Sequence, residues 1–121
     1  MDLQHIHTLI KDLEIDDPAF ESTEFIISEF LILTRDGLAL GAYYPNKNSI
    51  TIYQGADETV ALHEMGHRHA DFYYSDLSEG AAESFRKVYQ GNHNPHHSSS
   101  LPFYALCATL GAVVGLGLGL R

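Results

Sequence analysis

Apolar residues Leu3, Ile6, Leu9, Ile10 and Leu13 recur at helical spacing, so the pattern predicts a short amphipathic helix over residues 2–13. His5 and His7 lie on or beside its polar side. Asp16-Asp17-Pro18 reads as a helix start, with Asp17 as N-cap and Pro18 at the first helical position. From there the apolar residues are dense through Phe20, Phe25, Ile26, Ile27, Phe30, Leu31, Ile32 and Leu33. This predicts a helix to about Arg35 that stops at Gly37, although β-branched and aromatic content also admits a strand from about Glu29. Two strands follow, Leu38–Tyr44 and Ser49–Tyr53, joined by the turn-forming Pro45-Asn46-Lys47-Asn48.

Gly55-Ala56-Asp57 breaks the second strand, and Asp57 or Thr59 opens a helix expected to reach about Phe72. After a turn at Tyr74–Leu77, Ser78 caps a further helix, Glu79–Gln90, which Gly91 ends. Phe85, Val88 and Tyr89 are its expected apolar side. Residues 92–100 are polar and helix-breaking and read as a linker. Leu101–Leu120 contains no charged residue. Twenty helical residues span about 30 Å, the hydrocarbon thickness of a bilayer. A C-terminal membrane anchor is therefore expected at residues 101–120, with a buried core helix or an apolar tail as the other readings. Gly111 and Gly115 form a small-xxx-small pair suited to self-association within a membrane. The expected organisation is a globular unit at 1–91, a linker at 92–100 and the anchor at 101–120.

Composition narrows the function. The chain has 121 residues, enough for one small domain, and a formal charge of −9. An acidic surface repels phosphate backbones, so nucleic acid is an unsuitable partner, and neutral or basic peptides are mildly favoured. Cys107 is the single cysteine, which excludes an intramolecular disulfide and a Cys-type zinc site. Met1–His5 lacks the basic and apolar regions of a secretion signal. With a tail anchor, this places the globular unit on the cytoplasmic side as an expectation.

The chemistry centres on Val60–Arg68, which contains His63-Glu64-Met65-Gly66-His67. With 8 His and 8 Glu in the chain, chance supplies about 0.03 His-Glu-x-x-His words. On a helix, His63 and His67 share one face and can grip one ion, while Glu64 reaches a water on that ion from a neighbouring face. Imidazole and carboxylate donors at an open tetrahedral site suit Zn2+, with Glu64 as general base. Apolar Val60, Ala61, Leu62 and Met65 imply a buried helix, and Gly66 marks close packing.

A catalytic zinc needs a third protein ligand. The extended word with a third His six residues on is absent, since Tyr73 stands there. His69 and Asp71 follow His67 too closely to fit well. Glu79, at the start of the next helix, can face the first helix across the turn. Glu83, four residues on, occupies the same face and can orient a ligand imidazole. The rival roles are a helix N-terminal charge for Glu79 and a solvated pair with Arg86 or Lys87 for Glu83.

His63, Glu64, His67, Glu79 and Glu83, with the strands around Leu40–Pro45 and Ile50–Ile52, resemble the gluzincin metallopeptidases over roughly residues 38–90. The short gap from His67 to Glu79 is most similar to the minimal single-domain minigluzincins; the ImmA/IrrE-type peptidases share the same word. The resemblance implies an α+β zincin-like domain: a short β-sheet, an active-site helix and a glutamate helix. It also implies peptide-bond hydrolysis, of the endopeptidase kind, with extended substrate paired to an edge strand. The family uses a His or Tyr to stabilise the oxyanion, for which Tyr73, Tyr74 and His93 are the candidates here. Two other classes stay open. One is a zinc-holding structural or regulatory module closed by His93, His96 or His97. The other is a membrane-anchored interaction protein whose His word is accidental.

Overall fold

A computed structural model describes residues 1–91 and 107–109. The first helix, α1 (Leu3–Asp12), is capped by Asp2, whose carboxylate accepts from the His5 amide at 2.8 Å. It buries Ile6 and Leu9 and leaves His5 and His7 on its exposed side, as the spacing requires.

The stretch after Pro18 departs from the expected helix. Asp17 does cap a helical turn, accepting from the Ala19 amide at 2.9 Å, but that turn is a 3-10 segment of three residues, Pro18–Phe20. The chain then becomes β1 (Glu24–Ser28), five residues earlier than the strand alternative allowed, and β2 (Ile32–Thr34). β1 runs parallel to β5 (Ser49–Tyr53), from Glu24 opposite Ser49 to Ser28 opposite Tyr53. Phe25, Ile26 and Ile27 are better suited to such a pleated, half-buried surface than to a helix. Their partner lies some twenty-five residues away, beyond any local pattern. Asn48 fastens the start of β1, donating from Nδ2 to Ser22 Oγ and accepting at Oδ1 from Thr23 Oγ1.

The expected strand Leu38–Tyr44 is divided. Gly37–Ala39 is β3, antiparallel to β2 in a separate small hairpin, and Gly41–Tyr44 is β4, antiparallel to β5. Gly37, at φ 118°, makes the sharp turn between β2 and β3 in a region of backbone space that side chains avoid. A sixth strand, β6 (Cys107–Thr109), lies parallel to β4, giving the sheet order β1-β5-β4-β6. These three residues are extended where a continuous membrane helix was expected; the rest of 101–120, including Gly111 and Gly115, lies outside the described residues, as does the linker at 92–100. Among the described residues no helix is long and apolar enough to cross a membrane.

α2 (Glu58–Tyr74) packs on the sheet and carries the core. Asp57 opens it by accepting from the amides of Thr59 and Val60, and Ser75, in left-handed conformation at φ 52°, closes it two residues beyond the expected end. Val60, Ala61, Leu62 and Met65 are buried together with Tyr43, Ile50 and Ile52 of the sheet and Ile6 and Leu9 of α1. α3 (Glu79–Gln90) has the expected bounds and the expected Ser78 cap. Its buried side differs, however: Ala82 and Phe85 are buried beside the charged Glu83 and Arg86, while Val88 is exposed.

The α2–α3 contact is set by one glycine inside the His-Glu-x-x-His word. A Cβ at Gly66 would lie 2.5 Å from the Ala82 carbonyl oxygen and 2.8 Å from Ala82 Cα. Both obstacles are backbone, so the helices would have to separate. Gly66→Ala is accordingly expected to destabilise the fold by about 1–3 kcal/mol, read from denaturant unfolding, despite alanine's better helix propensity. Unchanged or increased stability would show that the helices are not held at this distance.

Candidate metal centre

His63, Glu64 and His67 are each 0% exposed. Burying polar or ionised groups this deeply costs several kcal/mol unless partners compensate, so α2 must meet matching groups from outside. α3 supplies them. Capped by Ser78, it begins with Glu79 facing α2, and one turn later presents Glu83 on the same side.

Glu79 spans both imidazoles: its Oε1 lies 2.8 Å from His63 Nε2 and its Oε2 lies 3.3 Å from His67 Nε2. Glu83 Oε2 meets the other nitrogen of His63, Nδ1, at 2.9 Å. The two imidazoles pack edge to face with centroids 4.9 Å apart. Thus the structure brings His63, His67, Glu79 and Glu83 together. Glu64 lies under β4, where a Cβ on Gly41 would come within 2.9 Å of Glu64 Cγ. Glycine at 41 is what lets the strand pass this close.

Charge follows from these contacts. Burial disfavours the imidazolium of His63, but the carboxylates of Glu79 and Glu83 outweigh it and raise His63 to about 9. For Glu79, burial works against the carboxylate, and its two imidazole partners prevail and bring it down to about 2. His67 shifts the other way, held neutral by burial and by the positive charge on His63 against the pull of Glu79.

Three donor atoms, one each from His63, His67 and Glu79, lie within 4.8 Å of one another. Tetrahedral zinc with donors at about 2.0–2.2 Å needs them roughly 3.3–3.5 Å apart, a small adjustment. Neither ring nitrogen of His67 has a well-formed hydrogen bond although the ring is fully buried. Buried imidazole nitrogens are normally satisfied, and a cation shared with His63 and Glu79 would satisfy one of these. The three residues could therefore hold a metal ion.

Behind His63 runs a chain of contacts that sequence reasoning saw only in part. Arg86 is buried, and its Nε donates to Glu83 Oε1 at 2.8 Å. Its Nη1 donates to Gln90 Oε1 at 2.8 Å, and Gln90 Nε2 donates to Thr59 Oγ1 at 2.9 Å, returning to the first turn of α2. The Arg86 pairing weighed as an alternative to the His63 contact coexists with it, one on each oxygen of Glu83. A metal ion held by His63 is expected to bind about 10–100-fold more weakly in Glu83→Ala, the cost of losing an outer partner of a ligating histidine, as measured by competition with a chromophoric chelator. Unaltered affinity would mean that His63 is oriented without Glu83.

The other candidates serve elsewhere. Asp71 accepts from the Tyr43 hydroxyl at 2.6 Å, and His69 Nδ1 pairs with Asp17 Oδ2 at 2.6 Å, so neither is drawn to the centre. Of the proposed oxyanion groups, the Tyr73 hydroxyl is donated to Asp17 at 3.0 Å. Tyr74 is exposed and lines a cavity of about 410 Å³ with His69 and Tyr89, to which none of the metal-site residues contributes. His93 lies outside the described residues, as do His96 and His97. Tyr44, which no motif marked, stands near the centre: burial first and the negative charge of Glu64 second raise its phenol. No family model, curated protein or solved structure matches the chain.

Proposed function

We propose that the protein is a zinc-dependent metallopeptidase in which His63, His67 and Glu79 hold the ion and Glu64 is the general base. The observation that carries this reading is the convergence of three donor atoms from two helices within 4.8 Å, beside a buried carboxylate in the next position of the same helix. A zinc ion held there would acidify a water at its open position and polarise a carbonyl. Glu64 would accept the proton of that water at its carboxylate and return it to the departing amine. Glu83 would fix the His63 ring through Nδ1, leaving Nε2 for the ion, and the Arg86–Gln90–Thr59 chain would hold Glu83 against α2.

Peptide is the substrate class that best suits the surroundings. β4 passes directly over Glu64, so an extended backbone aligned with that strand would bring its carbonyls to the ion. The formal charge of −9 favours neutral or basic peptides. A closed, non-catalytic zinc module is the competing reading, and the complete burial of Glu64 is what favours it. The two readings separate on a decapeptide library incubated with the full chain. Internal cleavage that a chelator abolishes and zinc restores supports the peptidase; an intact library with stoichiometric zinc supports the closed module.

A further inference from the structure

α3 presents two unlike faces. Glu79, Glu83 and Arg86 turn toward the metal centre, whereas Ala81, Ser84 and Val88 fall on the opposite side of the helix. That second side walls the cavity of about 410 Å³ that α3 shares with the end of α2. Small-molecule sites commonly measure about 300–1,000 Å³ and are lined by apolar and aromatic side chains with a few polar groups. Aromatic rings run in a row along this one. Tyr74 lies 6.5 Å from His69, His69 lies 5.1 Å from Phe85, and Phe85 lies 4.8 Å from Tyr89, centroid to centroid. Tyr74 and Val88, which also line it, are exposed.

The polar groups here favour one sign of ligand. Asp76 brings a carboxylate, held in place by the Ser78 amide, which donates to its Oδ1 at 2.9 Å. Asp17 takes Nδ1 of His69 at 2.6 Å, so in the neutral ring Nε2 is the acceptor. The Ser84 hydroxyl is donated back to the Gly80 carbonyl at 3.0 Å. Among the described residues, no lysine or arginine lines the cavity. Aromatic faces are themselves negative and attract cations. A carboxylate, an imidazole acceptor and a row of rings together match a positively charged donor on an apolar body. The formal charge of −9 steers such a ligand toward the chain.

We infer that the cavity between the end of α2 and the outer face of α3 binds an organic cation, an ammonium or guanidinium group carried on an aromatic or aliphatic body. The charged group meets Asp76, and the body lies along His69, Phe85 and Tyr89. The inference depends on neither the ion nor the activity proposed for the other face of α3.

The test titrates the full chain, without added metal, with tryptamine and follows the backbone amides by NMR. Tryptophol and indolepropionate carry the same ring but end in a hydroxyl and a carboxylate. Tryptamine is expected to shift the amides of Ala70, Asp76, Ala81 and Ser84 saturably and to leave those of β1 and β5 in place. Tryptophol should bind about tenfold more weakly, since it loses both the pairing with Asp76 and the attraction of the rings, each about two- to fivefold at an exposed site. Indolepropionate should not bind. Asp76→Asn keeps the oxygen that takes the Ser78 amide and should weaken tryptamine about two- to fivefold. Val88 is exposed, so Val88→Lys sets a competing ammonium beside the cavity without disturbing the core, and should weaken tryptamine more than Val88→Gln does. Displacement of tryptamine by a blocked Gly-Gly-Arg-Gly-Gly peptide would uphold the site and make a basic side chain its occupant. Saturable tryptamine binding that the peptide leaves intact would uphold it for a free amine. Equal binding of all three indoles, or no saturable shift at these amides, would overturn the inference.

Discussion

Glu64→Gln is expected to lower the rate of peptide cleavage by about 10²–10⁴-fold while leaving zinc content and zinc affinity as they were. Glutamine has nearly the shape of glutamate but cannot take a proton from water, so the loss is that of the general base alone. Glu64 is not among the three donors that converge on the ion position. A second signature distinguishes this role from a structural one. Glu64 is fully buried, and replacing a buried carboxylate by a neutral amide removes a desolvation cost. Thermal stability should therefore stay level or rise as activity disappears, the pattern of a group kept for chemistry at the expense of stability. Equal loss of zinc and activity would instead make Glu64 a ligand or a support of the ligands.

Glu79→Ala is expected to weaken zinc binding by more than about 100-fold, beyond the 10–100-fold that the loss of an outer partner costs. It removes the one carboxylate that meets Nε2 of both His63 and His67. In the metal-free protein the same change should bring the His63 imidazolium down from about 9, since Glu79 is the largest of the influences that raise it. The sign of the pH effect follows from both partners. The raised His63 stabilises the fold fully below its ordinary 6.5, and that contribution is lost as pH rises through about 9. The depressed Glu79 contributes fully above its ordinary 4.5 and loses its contribution as pH falls through about 2. The stability difference between the natural chain and Glu79→Ala, both metal-free, should thus be largest between pH 4.5 and 6.5. Calorimetric zinc titration and histidine NMR measure the two effects. Zinc affinity within a few-fold of the natural chain would exclude Glu79 as a ligand.

What was legible in the sequence shared one property: its cause was local. The caps Asp57 and Ser78, the bounds of α3, and the hairpin Ser49–Tyr53 on β4 all follow from residues within a few positions of one another. So does the placement of His63, His67, Glu79 and Glu83, because helical spacing and one short turn determine which faces meet. The stretch Pro18–Arg35 departs from the expected helix because its apolar residues are too dense to show a period. β1 is decided by a parallel partner far along the chain, Ser49–Tyr53, that no window contains. Nothing local marks Arg86 for burial or Gln90 for a bond to α2, and only the approach of α3 to α2 brings them to Glu83 and Thr59. The apolar run at 101–120 has a composition that suits membrane and sheet alike, and its described part, Cys107–Thr109, is strand.

In the arrangement we propose, His63, His67 and Glu79 hold a zinc ion with one position left for water. Zinc K-edge X-ray absorption on the full chain, loaded with one equivalent of zinc, tests it most directly, because imidazoles can be counted by their scattering. The result expected is two imidazole nitrogens at about 2.0–2.1 Å and oxygen donors for the remainder, one of them displaced by an added hydroxamate. Three or four imidazoles, or a donor shell that hydroxamate leaves unchanged, would contradict the open site and with it the peptidase.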